Sequence, residues 1–292
     1  MPKYFYKYTS SAVAKKIIEN GTLRWSTPGS LNDPYDIQFD FRTDHDVEKI
    51  RKIVMDNWWG LYTGELQGAE DNIVVALIGL VKQSMPNLSK DFFNQKFSGA
   101  VEQAVQVLNE KIDAFNKEVR GHMSTVKVLC LTECPVSQLM WAYYGDSNKG
   151  IALRFESDPE IDSPYVTAKP MRYQKHIPNL YDDEDLAGFI SGVSSISDKY
   201  ILEKLIYTKS DAWAHEKEWR LQSGDGRNKY DAFEDIKFAK SELTGVIFGC
   251  RMPEEERTLL ANMVRLHYPH AEVLQAEIRS DEYQIEICMS SY

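Results

Sequence analysis

Lys209-Ser210-Asp211-Ala212-Trp213-Ala214-His215-Glu216-Lys217-Glu218-Trp219-Arg220-Leu221 is the stretch from which the rest of the chain is best read. It crowds two Trp, the Glu216/Glu218 pair, a His and an Arg into thirteen residues. Its second half alternates as a strand does, with Lys217, Trp219 and Leu221 on one face and Glu216, Glu218 and Arg220 on the other. Two acids and a guanidinium on one strand face cannot be core unless they are paired. That face is therefore a solvated ion-pair row or the wall of a site, and Trp213 and Trp219 argue against a fully exposed strand.

Working outward, Val126–Thr132 reads as a strand, and Pro135 opens a short helix through Ser137–Tyr144 that stops at Gly145. Gly150–Phe155 is the next strand, and the acidic run Asp182–Asp185 starts a helix reaching about Tyr207. On the C-terminal side, Asp225–Arg227 reads as a turn with Lys229–Phe238 as the returning strand. Thr244–Gly249 is an apolar strand, Pro253 opens a helix that ends near Tyr268, and Glu272–Ile278 and Tyr283–Met289 are alternating strands.

At the other end, Tyr4–Tyr8 is a short aromatic strand, and Ser10 or Ser11 caps a helix over Ala12–Asn20 that Gly21 terminates. Thr22–Ser26 is a second strand, followed by a turn-rich loop over Thr27–Asp36. Between Asp46 and Gly121 the apolar residues fall at helical spacing, as in Val101, Ala104, Val105, Leu108, Ile112 and Phe115. The pattern predicts a single α+β domain over 1–292, carrying a helical insertion at 46–121.

The chain has 292 residues, 43% hydrophobic and 27% charged, with a net charge of −10. An acidic surface disfavours simple electrostatic binding to nucleic acid but leaves room for a small basic pocket that takes a nucleotide. The start has no basic head before a long apolar stretch, and the longest apolar run, Ile73–Val81, is nine residues, too short for a bilayer. The expectation is a cytoplasmic protein with no membrane partner. The four Cys, at 130, 134, 250 and 288, have no second pair or His-x-x-x-His to complete a metal set, so no metal is expected. Neither a Gly-rich dinucleotide loop, a Walker A motif nor a Ser nucleophile elbow occurs.

Three constellations could carry chemistry. Lys7-Tyr8, Arg24, Ser26-Thr27 and the loop Asn32-Asp33-Pro34-Tyr35-Asp36 bring polar groups to strand ends, where ligands often sit. The plainer reading is a structural turn whose Asn32 and Asp33 bond their own backbone. Trp141 and Tyr144 share a helix face, suited either to stacking a flat ring or to core packing; core packing is favoured for Trp141, and Tyr144 is more open to function because its hydroxyl needs a partner. Glu216 and Glu218 would polarise a hydroxyl or hold an oxocarbenium-like state, with Arg220 beside them.

Taken together these segments resemble the bacterial family DUF2971, a domain of unknown function. The resemblance runs through Tyr6-Lys7-Tyr8, Gly21 to Pro28, Asn32 to Asp36, Met140-Trp141 with Tyr144-Gly145 and Lys149-Gly150, Lys209 to Arg220, and Ile247 to Gly249. A second resemblance, on Lys7, Ser26-Thr27 and Glu216-x-Glu218, is to NAD-using ADP-ribosyltransferases. It implies a twisted, split antiparallel sheet core with flanking helices, and NAD as substrate. In that reading the catalytic residues are Glu218, which orients a ribose hydroxyl, Glu216, which engages the acceptor, and Lys7, which stands where those enzymes have Arg or His. Tyr8, Arg24, Ser26, Asn32, Asp33, Trp141, Tyr144 and Arg220 would bind the nucleotide. The same resemblance implies a protein or nucleic-acid acceptor and the role of a toxin or phage-defence effector. The alternative is a non-catalytic sensor whose groove binds a nucleotide or a protein. A nuclease is a third reading, and the acidic balance disfavours the basic face it would want.

Overall fold

The computed structural model describes residues 2–69, 71–157, 160 and 163–290. Its contacts divide the chain into two compact units: one formed by the chain up to Gln38, His122–Lys175 and the chain from Tyr207 onward, the other by Phe39–Gly121 and His176–Ile206.

The first unit is built on a sheet of ten strands among the described residues, with helices against it: an α+β fold. Strands β1 (Tyr4–Thr9), β2 (Thr22–Ser26), β3 (Val128–Thr132), β4 (Ile151–Glu156), β5 (Lys169–Pro170), β8 (Glu218–Gln222), β9 (Phe233–Lys237), β10 (Leu243–Phe248), β11 (Glu272–Ile278) and β12 (Ile285–Met289) make it up, while β6 (Arg172–Gln174) and β7 (Thr208–Ser210) form a separate parallel pair. The main path runs β12-β11-β10-β4-β1-β3-β2-β9, with β8 paired to β3 and β5 to β8. All these pairings are antiparallel except β10 with β11.

One feature of this sheet positions the site. β1 pairs with β4 along all six of its residues but meets β3 only at Tyr6↔Thr132. β3 pairs with β8 along all five of its residues and meets β2 only at Ser26↔Val128. The sheet therefore splits around β3, which agrees with the split antiparallel core expected above. The Lys7 ammonium bridges the opening by donating to the Cys130 carbonyl at 2.9 Å, capping a backbone acceptor at the split.

Local signals explain the flanking helices. α1 (Ser11–Asn20) is capped by the Ser10 hydroxyl and stops at Gly21, whose φ of 62° is the left-handed value a C-terminal glycine supplies. α6 (Gln138–Tyr143) is capped by Ser137 and so begins later than Pro135. α1 and α9 (Glu254–His267) cover one face of the sheet, where Phe5, Leu23, Leu129, Leu153, Phe155 and Val246 form a shared core with Ile18 and Leu260. Removing each such side chain from water contributes about 1.5–3 kcal/mol.

Three expectations need correction. Glu216 does not lie on the strand: Asp211–Glu216 is a 3₁₀ turn, Lys217 takes a left-handed φ of 45°, and β8 begins at Glu218. Ser210 accepts from Ala212 N and starts that turn, so the alternation that reads as a strand holds only from Glu218 onward. The strand following the Asp225–Arg227 turn does not return along β8; β9 pairs with β2, from Thr22↔Lys237 to Ser26↔Phe233. Finally, the helix from Asp182 breaks at Gly192 (φ 75°), giving α7 (Asp183–Ser191) and α8 (Asp198–Ile206).

The second unit is helical among its described residues. α2 (Val47–Thr63), α3 (Ile73–Ser84), α4 (Lys90–Phe97) and most of α5 (Gly99–Met123) belong to it. Ile50, Val54, Trp58, Phe93 and Val101 form its core with Leu186 of α7.

Candidate functional site

The split in the sheet holds a cavity of about 280 Å³. Its lining comes from four parts of the chain: Tyr6, Lys7 and Tyr8 of β1; Arg24, Ser26 and the loop through Asn32 to Asp36; β3 with Met140 and Tyr144; and Lys209, Glu216 and Glu218. The volume lies just below the range of roughly 300–1,000 Å³ typical of small-molecule clefts. A wider hollow of about 670 Å³ lies elsewhere on the first unit, lined by Gln138, Leu139 and Ala142 of α6 and by the β11–β12 turn, and contains none of these charged groups.

The floor of the cavity is a closed set of charges. Arg220, wholly buried, holds Asp36 with two parallel bonds of 2.8 and 2.9 Å and donates twice to Glu218 Oε1, at 2.9 and 2.6 Å. Lys209 Nζ donates to Glu216 Oε2 at 2.6 Å and to Glu218 Oε2 at 2.9 Å, and lies 3.6 Å from Asp36. Glu216 Oε1 accepts from the Tyr144 hydroxyl at 2.5 Å, which in turn accepts from Asn32 Nδ2 at 2.7 Å. Unpaired charges at this depth would be prohibitive, and the geometry gives Asp36 and Glu216 two hydrogen bonds each and Glu218 three from Arg220 and Lys209.

Backbone geometry delivers these groups. The 3₁₀ turn and the left-handed Lys217 swing Glu216 back over Lys209, and the Glu216 carbonyl is fixed by Thr132 Oγ1 at 2.6 Å. The Glu218 amide donates to the Tyr173 hydroxyl at 2.7 Å, which anchors the start of β8. Trp219, on the other face, packs against the core and crosses Phe5 edge-on at 5.6 Å.

The charges bias one another's protonation. Burial works against Glu218 ionising, but Arg220 and Lys209 outweigh it, and with a weak bond from the Cys130 thiol they hold its pKa at about 2. Burial likewise opposes the Lys209 charge and is overcome by Glu218, Glu216 and Asp36, so its pKa lies above the ordinary lysine value. Glu216 moves upward because burial exceeds what Lys209 and Tyr144 give back. Burial, then the bond to Glu216, raises the Tyr144 phenol, and burial beside Glu218 lifts the Cys130 thiol to about 12. At neutral pH Glu218 is thus a carboxylate held by two cations, and Tyr144 is a neutral donor.

Of the residues singled out from sequence, the structure brings Lys7, Tyr8, Arg24, Ser26, Asn32, Tyr144, Glu216 and Glu218 to the cavity lining. Arg24 sits at its edge, paired to Asp235 at 3.0 and 3.1 Å with its guanidinium stacked 3.6 Å from the Phe233 ring. Arg220 supports the floor from beneath. Asp33 is buried, and its Oδ1 accepts from Tyr35 N at 2.9 Å, the local turn that the loop sequence allowed. Trp141 is fully buried behind Tyr8, crossing it edge-on at 4.9 Å and donating to Pro135 O at 2.9 Å. Sequence reasoning did not single out Lys209 or Asp36. Both stood inside the stretches Lys209–Arg220 and Asn32–Asp36; two acids and one Arg on a wall with tryptophans leave a net negative charge that calls for a further cation, which points to Lys209, whereas nothing in the charge balance points to Asp36.

Residues 140–221, from α6 through β8, match a family model described as "Protein of unknown function (DUF2971)". The match takes in Tyr144, Lys209, Glu216, Glu218 and Arg220. No curated protein and no solved structure matches the chain. No helix among the described residues is long and apolar enough to cross a membrane.

Proposed function

We propose that the cleft binds a nicotinamide dinucleotide and breaks its N-glycosidic bond, transferring ADP-ribose to an acceptor. The observation that carries this reading is the convergence of Lys7, Ser26, Tyr144, Glu216 and Glu218, from four separate segments, on one cavity of about 280 Å³. That space suits one ring and its sugar, leaving the remainder of a dinucleotide to lie across the mouth.

In the proposed reaction the bond from the ribose anomeric carbon to the nicotinamide nitrogen breaks, and its electron pair leaves with nicotinamide. The ribose passes through an oxocarbenium-like cation. A carboxylate kept ionised, as Glu218 is, favours that cation and accepts from a ribose hydroxyl. An acceptor nucleophile then bonds to the same carbon and loses a proton, for which Glu216, already bonded to Tyr144, is the base. Lys7 donates into the cleft toward a carbonyl or phosphate oxygen of the ligand.

A second reading, a sensor that binds the nucleotide without turnover, has its own observation. Both Glu218 oxygens are engaged by Arg220 and Lys209, as in a purely structural ion cluster. Thermal stabilisation by NAD and by ADP-ribose, measured together with nicotinamide formation, separates the two. The transferase reading expects a raised Tm with NAD and turnover in the native chain, with turnover lost in Glu218→Gln and in Tyr144→Phe. Stabilisation without nicotinamide in every variant favours the sensor. No stabilisation by either nucleotide, with no turnover, removes both readings.

A further inference from the structure

Helix α3 of the helical unit presents a face of exposed apolar residues among the described residues. Its inward side is conventional: Ile78 is buried in the unit's core, and Val74 and Val81 pack against that core. Its outward side carries Ile73, Leu77 and Leu80, which are 73%, 53% and 57% exposed, with exposed Ala76 between them. These positions are related as i, i+3, i+4 and i+7, a single stripe along the helix. A helix apolar on both sides is normally buried on both sides, and an exposed stripe of large aliphatics marks an interaction surface.

We infer that this stripe pairs with the same stripe of a second copy of the chain, the two α3 helices running antiparallel about a two-fold axis between Ala76 and Leu77. Three features select that occupant. The stripe is self-complementary about that axis: Ile73 of one copy meets Leu80 of the other, and Ala76 meets Leu77, large against large at the edges and small against large at the centre. A two-fold contact requires such self-complementarity, and a contact with an unrelated protein does not. The same axis places Asp71, just before the helix, level with Lys82 in the partner's last turn, so opposite charges and opposite helix-dipole ends meet at both ends. A parallel pairing would put like charges together. Lastly, the chain carries −10 overall, so two copies approach best through an uncharged surface; Lys82, the charged residue of α3, sits beyond the end of the stripe, where its ammonium donates to Thr63 O at 3.1 Å and keeps two further N–H groups for the partner's acid.

Sedimentation of the full chain from about 1 to about 100 µM, the range in which a modest interface shows itself, tests the pairing. The native chain should move from monomer to dimer, and Leu77→Glu should remain monomeric with the Tm that the native chain has at about 1 µM, where it too is monomeric, because that side chain is already exposed in the single chain. Cysteine cross-linking then fixes the register. Leu77→Cys should form a disulfide-linked dimer above the background of the native cysteines, since its copy lies about 1.5 Å away along the axis. Leu80→Cys alone should not, because its copies are displaced by about 10 Å, beyond disulfide reach. A mixture of Ile73→Cys and Leu80→Cys chains should link. A native chain that stays monomeric throughout, a dimer that survives Leu77→Glu, or linking of Leu80→Cys to itself would overturn the inference.

Discussion

Replacing Arg220 by Met tests whether the charges beneath the cleft form one cooperative unit. The guanidinium is wholly buried and makes two bonds to Asp36 and two to Glu218, so its loss strands carboxylates that keep Lys209 as their remaining cation on the floor. Breaking a buried pair by removing one partner costs about 3–5 kcal/mol. At about 2–4 °C per kcal/mol for a chain of this class, the Tm at pH 7 should fall by on the order of 10 °C. The effect should also depend on pH, with a definite sign. In the native chain the Glu218 pKa is held at about 2, below the ordinary 4.5, so its contribution is complete above pH 4.5 and is lost as pH falls through 2. In the variant, carboxylates crowded without Arg220 have raised pKa values, so the destabilisation grows as pH rises through them and shrinks below about 4.5. Thermal unfolding of both chains at pH 7 and pH 4 measures this. A variant within about 2 °C of native at pH 7, or a gap that does not narrow at pH 4, would refute the reasoning.

Two further substitutions probe the walls. Trp141→Ala removes a fully buried indole and its bond to Pro135 O, and should cost about 3–5 kcal/mol in urea unfolding while loosening the Tyr8 ring that lines the cleft. Gly150→Ala would place a methyl 2.2 Å from the Thr9 carbonyl, forcing β1 and β4 apart at their last pair; a loss of about 1–3 kcal/mol or more is expected by chemical denaturation. Gly29→Ala, with nothing within 4 Å of the new methyl, is the matched control and should stay within about 0.5 kcal/mol of native.

How much of this was legible in sequence varies by element. α1, β2, β3, β4, β10 and α9 follow from local chemistry: a Ser cap, a left-handed Gly21, aliphatic runs and first-turn acids. The alternation of Glu218, Trp219 and Arg220 correctly put the acid and the guanidinium on one face and the indole on the other. The same alternation failed at Glu216, because the left-handed turn at Lys217 resets the direction of the side chain; a non-Gly residue gives little warning of that conformation. The Asp225–Arg227 turn suggests that β9 returns along its neighbour in sequence, whereas its partner β2 lies about two hundred residues earlier and is chosen by tertiary packing. Lys209 and Asp36 illustrate a third limit. Local spacing identifies charges that need partners, but which charges meet at 2.6–3.6 Å is decided by the fold.

The most direct test of the proposed function is the release of nicotinamide from NAD, followed by chromatography over time for the native chain and for Glu218→Gln, with the folded state of each checked by its unfolding transition. The proposal predicts nicotinamide from the native chain and a loss of at least about a hundredfold in folded Glu218→Gln, the scale expected when a charge facing the transition state is removed. Native and variant chains that are both folded and release nicotinamide at the same rate, or at no rate above buffer, would contradict it.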